Sequence, residues 1–511
     1  MKRCPQCQKT YEDETLNFCL DDGATLLENL SDFSPTLIFQ STAPNESPTE
    51  SFQTKTASIA VLPFANMSSE AENEYFCDGL AEELSNGLAK IENLKVAART
   101  SAFSFRNKNV NVGEIGRALN VNSVLEGSVG KSGNRLRIFT QLVSVADGYN
   151  LWSERYDREI KDIFDVQDEI ALAVVEALKV KLLGKTKSAV FKRQTDSTEA
   201  YELYLKGCFH RGKGGTESRK KAIDFFQKAI AIDPHYAPAY AELSFSYRVL
   251  ISGGTLDPNE FTPKVEAMVM KALELDASLA EAHFALAIFK QDAWQWRAAE
   301  REFRKAVKLN LNLARARVGY AGHLARVGRA DEAVSEVKQA RELDPLSPIV
   351  NANVGFILYF ARRFDEAIET LKSTLELDDN FAFANLYLGY NYAARGDFAE
   401  AVSAYKEAIR LGQDTPSNRI YLGAAYAGAG KRKQARDILK QLLTGKNYVS
   451  PGELAVLYAA LGEREKAFAS LEDAHARRDL QLQYLNVDPA FDSLREDSRF
   501  QDLLRRMNFP S

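Results

Sequence analysis

An α-solenoid preceded by a small α/β domain and a short cysteine-bearing segment is the fold class that this 511-residue chain predicts, and three observations carry it. Small residues recur every 34 positions at Ala299, Ala333, Ala367, Ala401 and Ala435. Two further registers keep the same step, one through Ala272, Ala306, Ala340, Thr374 and Ala408, the other through Ala287, Ala321, Gly355, Gly389 and Gly423. Upstream of this array, residues 57–183 alternate short apolar runs with amphipathic ones, the texture of mixed strands and helices.

Residues 1–30 hold three of the five cysteines. Cys4-Pro5-Gln6-Cys7 is a turn whose two thiolates can share one ion, and Cys19-Leu20-Asp21-Asp22-Gly23 resembles the second knuckle of a zinc ribbon with Asp22 where the family's fourth cysteine stands. That resemblance implies one structural zinc ion on Cys4, Cys7, Cys19 and Asp22, since carboxylate oxygen is a competent zinc ligand; the alternative is a degenerate ribbon without metal. Residues 31–56 carry ten Ser or Thr and three Pro and read as a flexible linker.

In residues 57–183, Ile59-Ala60-Val61-Leu62-Pro63-Phe64 predicts a buried strand, and Phe76, Leu80, Leu84 and Leu88 line one face of a helix. Ser123 to Val129 and Arg135 to Val145 predict a hairpin about Lys131-Ser132-Gly133-Asn134, Tyr149 to Tyr156 a further strand, and Val166 to Leu183 a long helix. Together with Phe76-Cys77-Asp78-Gly79-Leu80, Leu125-Glu126-Gly127-Ser128-Val129 and Leu151-Trp152-Ser153-Glu154-Arg155-Tyr156-Asp157, the opening strand resembles the TolB amino-terminal-like domain. In relatives that module often precedes tetratricopeptide repeats in bacterial proteins, which implies a regulatory or scaffold protein and no particular reaction.

Residues 196–478 predict about eight helix pairs. One unit reads Leu388-Gly389-x-x-Tyr392, Gly396, Ala401-x-x-x-Tyr405-x-x-Ala408, which places one apolar stripe on each of two helices joined at Gly396. This spacing and these residue types resemble the tetratricopeptide repeat. Asp233-Pro234 and Asp344-Pro345 end helices. An insertion near Gly253-Gly254-Thr255-Leu256-Asp257-Pro258 stretches one step to 43 residues, and two residues are lost near Ser450-Pro451-Gly452. Residues 479–511, with Asp488-Pro489, Phe491, Leu494, Phe500, Leu503 and Leu504, predict a capping helix over the last apolar face.

Net charge is −5, all of it within residues 1–56, which hold nine Asp or Glu against four Lys or Arg; no nucleic-acid partner is expected from such a balance. No apolar run reaches the length of a membrane span, and Met1-Lys2-Arg3 leads into Cys4-Pro5 and not into a signal-peptide core, so a cytoplasmic location is expected. Gly127-Ser128-Val129-Gly130-Lys131-Ser132 fails as a phosphate loop because Leu125 stands at the first glycine position and a strand follows. His210, His235, His283, His323 and His475 are scattered, Cys77 and Cys208 read as small core residues, and no catalytic signature accompanies them; the chain is expected not to be an enzyme.

The tetratricopeptide resemblance implies that the first helix of each pair lines a groove. By register, its inward residues are Ile349, Ala352, Phe356, Tyr359 and Phe360 in one unit and Phe383, Leu386, Tyr390, Ala393 and Ala394 in the next. Two readings stand side by side: an exposed aromatic stripe suited to an apolar helix or extended peptide, or aromatics packed between helices. The function expected is a bacterial scaffold that binds a partner protein or peptide in this groove; the alternative is an accessory subunit of a signalling system whose cyclase, kinase or DNA-binding activity a partner supplies.

Overall fold

The computed structural model describes residues 2–3, 10–11, 27–28, 57–68, 73–91, 93–180, 194–252, 255–445 and 447–510, which fall into two units, Met1–Lys55 and Thr56–Ser511. In the first unit, β1 (Lys2–Arg3), β2 (Thr10–Tyr11) and β3 (Leu27–Glu28) form an antiparallel sheet ordered β2-β1-β3. Cys4, Cys7, Cys19 and Asp22 lie outside the described residues.

The second unit opens with a mixed sheet. Its strands are β4 (Ala57–Val61), β5 (Ala65–Asn66), β6 (Leu94–Val96), β7 (Ser123–Ser132), β8 (Arg135–Ser144) and β9 (Asn150–Glu159), ordered β6-β4-β7-β8-β9 with β5 beside β7. Ile59, Ala60 and Val61 lack polar side chains because both faces of β4 are covered. Helices α1 (Glu74–Leu88) and α4 (Ile163–Ala177) cover one face, where Leu80, Leu84, Val166 and Ile170 meet Val61, Leu125 and Ile138. Helices α2 (Arg99–Phe103) and α3 (Val112–Leu119) cover the other, where Ala102, Ile115 and Leu119 meet Ala60 and Val124. The glycine-rich stretch Gly127–Ser132 lies within β7; a Cβ on Gly127 would come 2.3 Å from the Phe139 carbonyl oxygen of β8, which accounts for that glycine without a ligand.

Eight helix pairs follow among the described residues: α5 (Thr198–Lys213) with α6 (Thr216–Ile232), α7 (Ala237–Ser252) with α8 (Pro258–Leu275), α9 (Ala280–Asp292) with α10 (Trp296–Leu309), and α11 (Ala314–Arg326) with α12 (Ala330–Leu343). Then come α13 (Pro348–Phe360) with α14 (Phe364–Leu377), α15 (Ala382–Arg395) with α16 (Phe398–Arg410), α17 (Pro416–Gly428) with α18 (Arg432–Thr444), and α19 (Pro451–Ala460) with α20 (Arg464–Ala476). The chain is thus a helical repeat solenoid of the tetratricopeptide kind behind a small α/β region. Every alanine of the 299-to-435 register has zero exposure, because that position is where two helices of a pair touch most closely. Ser197, Ser347, Thr415 and Ser450 each accept a hydrogen bond from the backbone N–H three residues on, with proline following the last three, so four first helices begin on a side-chain cap. The early insertion lengthens helices as well as their connection: α7 and α8 run to 16 and 18 residues, against 13 and 14 in α9 and α10.

From α7 onward each first helix packs on its partner and on the next first helix, so these first helices form a continuous layer. After α20 the chain makes two 3-10 turns, Leu480–Tyr484 and Pro489–Leu494, and a last helix, α21 (Ser498–Arg506). Phe491, Leu494, Phe500 and Leu503 complete a core with Ala455, Leu457, Phe468 and Leu471 of α19 and α20.

Candidate functional site

The first-helix layer is the surface on which both flanking pieces of this unit lie. The α/β region docks on its early half. Ala98 N–H donates to the Leu343 carbonyl at 2.8 Å, and Asp344 accepts from the Ser101 N–H at 2.9 Å and from its hydroxyl at 2.6 Å. The Asn312 amide donates to the Ala89 carbonyl at 3.0 Å and accepts from Val96 N–H at 3.3 Å. Asn312 and Asp344 are the corner residues between successive pairs, so the positions that end second helices also hold the neighbouring region.

Beneath these bonds runs a chain of charges. Glu82 of α1 lies 3.0 Å from Arg99 and 2.8 Å from Arg211 of α5; Arg211 lies 3.3 Å from Glu242 of α7, which accepts from Arg315 of α11 at 2.6 Å. Burial alone would raise the Glu242 carboxyl, but Arg211 and Arg315 hold it down at about 2.

The later half of the layer holds the aromatic stripe and, on it, residues 483–488 of the tail. Four of the register residues converge: Phe356, Tyr359, Phe360 and Tyr390 lie within ring contact of one another. Tyr484 lies against them, stacked on Phe360 at 5.1 Å and edge-on to Phe356 at 5.7 Å, with the Arg326 guanidinium 4.1 Å from its ring centroid and hydrogen-bonded to its hydroxyl. The buried Tyr359 hydroxyl donates to the Asp488 carboxylate at 2.6 Å. Gln483 accepts from Gln291 at 3.1 Å and donates to Asp292 at 3.2 Å, while Asn486 donates to the Arg326 carbonyl at 3.3 Å. Burial raises the proton affinity of both Tyr359 and Asp488, and Asp488 further raises that of Tyr359.

The remaining register residues are spread apart. Ile349 is 43% exposed at the start of α13, Leu386 is buried between α15 and α16 beside Ala401 and Tyr405, and Phe383 packs at the edge of that same cluster with its ring beside Phe381 and Tyr387. Leu386 and Tyr390 thus pack between helices, and Phe356 and Phe360 are covered by Tyr484 of the chain's own tail. Arg326, Tyr387, Gln483, Tyr484 and Asp488 were not among the residues singled out as partner-binding. Arg326 sits at the end of α11, on the same layer as the stripe, and the tail residues have no place in the 34-residue register.

Cys77 and Cys208 are buried, and burial pushes the Cys77 thiol up to about 12 and that of Cys208 higher still, which keeps both in the unreactive protonated form. Among the described residues, no three His, Cys, Asp or Glu side chains are grouped to hold a metal ion, and no helix is long and apolar enough to cross a membrane.

No family model matches the chain. Over 249 residues it is 36% identical to a protein of Rhizobium meliloti (strain 1021) named "Putative adenylate cyclase 3", a match covering 48% of this chain and 42% of that one. Over 98 residues it is 34% identical to the type IV pilus assembly protein PilF of Pseudomonas aeruginosa, covering 19% of this chain and 39% of PilF. The chain thus spans about two fifths of the length of the curated relatives it matches. Among solved structures it is similar to P. aeruginosa PilF (23% identity, TM-score 0.33, 45% of this chain and 96% of that one). It is also similar to YrrB, described as a tetratricopeptide protein with an unusual peptide-binding site (22% identity, TM-score 0.27, 42% and 97%).

Proposed function

We propose that this chain is a non-enzymatic bacterial protein-interaction scaffold whose array takes up an extended segment of aromatic and acidic character along its first-helix layer. The observation that supports this reading is the seating of residues 483–488: an aromatic ring in a slot of aromatics and one guanidinium, with a carboxylate one turn further on that accepts from a buried tyrosine. A partner carrying a tyrosine followed by an acidic residue at similar spacing would make the same contacts after displacing the tail. A labelled peptide copying residues 480–492 tests this against the full chain and against Tyr484→Ala with Asp488→Ala. The double variant is expected to bind it at least about tenfold more tightly than the parent, because the parent's own segment competes at high effective concentration. Equal binding by both, or by neither, would overturn the reading.

A second reading, accessory subunit of a signalling system, is favoured by the 36% identity to the relative named as an adenylate cyclase. On that reading the catalytic activity belongs to the partner, and purified chain alone converts no ATP to cyclic AMP while its tagged form retrieves a cyclase from lysate.

A further inference from the structure

The two ends of the six-stranded sheet are treated differently. At the β6 end, Val96 N–H is taken by Asn312 and the following backbone by Leu343, so the array seals that edge. At the other end stands β9, ten residues long, and among the described residues only β8 pairs with it. A strand of that length with a free edge offers a row of backbone donors and acceptors to another strand.

The side chains on β9 specify which strand. Reading outward from Tyr156, the sequence is Glu154, Arg155, Tyr156, Asp157, Arg158, so the charges are antisymmetric about the tyrosine. Glu154, Arg155 and Arg158 are exposed, and Tyr156 points into the core at 3% exposure. A copy related by a two-fold axis perpendicular to the sheet runs antiparallel and sets one residue opposite its own counterpart. With Tyr156 at that centre, Glu154 faces Arg158 of the second copy and Arg155 faces its Asp157, and the symmetry repeats both pairs. Centring on Arg155 brings no opposite charges together, and centring on Asp157 sets that carboxylate against itself. The register is therefore selected by charge. Asp157 already lies 2.7 Å from Arg137 and 3.1 Å from Arg155, and the Arg155 side chain, 64% exposed, retains donors for a second carboxylate. Arg158 lies 3.4 Å from Glu169 of α4, with both side chains nearly half exposed, so a facing Glu154 adds to an ion pair on the helix-covered side of the sheet.

We propose that β9 is a self-complementary interface through which two copies of this chain form one twelve-stranded antiparallel-joined sheet, centred on Tyr156. The test uses the full chain. Light scattering is expected to give twice 57.0 kDa for the parent. Arg155→Glu with Arg158→Glu makes every charge in residues 154–158 acidic, and Glu154→Arg with Asp157→Lys makes every charge there basic; each alone is expected to be monomeric, and an equimolar mixture is expected to recover the dimer. A parent that stays monomeric up to about 100 μM, weaker than a specific interface allows, overturns the proposal. So does a dimer that persists in either double variant, or a mixture of two folded variants that fails to associate. If a double variant does not fold, Arg155→Ala decides: losing two symmetry-related cross-strand pairs weakens association about 2- to 30-fold, and an unchanged dissociation constant overturns the proposal.

Discussion

Replacing Gly389 by alanine isolates what the third register of the repeat is for. Gly389 lies inside α15, and a Cβ there would come 2.5 to 2.7 Å from the Tyr405 ring. That ring is 1% exposed and held by Tyr390 at 5.9 Å and Tyr421 at 6.4 Å, so it cannot swing away without repacking its neighbours. Overpacking of this kind costs about 1–3 kcal/mol, against which alanine returns about 1 kcal/mol of helix propensity, leaving a net loss of up to about 2 kcal/mol. Read by amide hydrogen exchange in α15 and α16, that loss is an acceleration of up to about 30-fold. Gly423, whose nearest neighbour would lie at 3.1 Å, should respond less, and Gly87 in α1, where nothing lies within 4 Å, should be stabilised by the same change. Exchange in α15 and α16 slower than in the parent after Gly389→Ala would refute the argument that the glycine exists to admit the tyrosine.

Glu453 should make the array less stable at high pH. Burial pushes its carboxyl up to about 7, while the Ser417 hydroxyl, donating at 2.5 Å, pulls the other way. A carboxyl whose folded value lies above its unfolded value of about 4.3 contributes fully below that value and loses its contribution as pH rises toward 7, at about 1.4 kcal/mol per unit. Glu453→Gln should therefore flatten urea stability between pH 5 and 8, and an unchanged slope across that range would count against it. Asp344→Ala removes the acceptor of two Ser101 hydrogen bonds and should cost about 1–3 kcal/mol of docking at α2. Trypsin cleavage at Arg99 or Arg106 should then quicken about 5- to 150-fold with helix content unchanged, and equal cleavage would mean that the docking rests elsewhere.

The repeat was legible because it is carried by residue size at fixed spacing. Ala299, Ala333, Ala367, Ala401 and Ala435 are small for one reason, a helix crossing, and that reason leaves the same mark every 34 residues. The hairpin at Gly133 was legible through its turn residues, and the glycine has a φ of +55°. Docking left no such mark. Asn312 and Asp344 look like ordinary helix-ending residues, and their second task, bonding to residues more than 200 positions earlier, depends on the tertiary fold, which no local pattern encodes. The aromatics of α13 and α15 are visible in the sequence, but what covers them is not. Tyr484 meets Phe360 across 124 positions and Arg326 across 158, so only the fold brings them together.

The closing contacts of the tail change how the array comes apart. A free-ended row of repeats loses its terminal unit at the cost of one boundary, so it frays from the ends inward. Here the Trp296 indole donates to the Met507 carbonyl at 2.9 Å and stacks on Phe509 at 4.6 Å, tying the third pair to the last residues of the chain. A row whose far end is fastened back to its middle has no terminal unit to lose there: pairs three to eight form a loop, and opening any one of them must strain or break the clasp. Over that stretch, melting becomes a shared event rather than a progression.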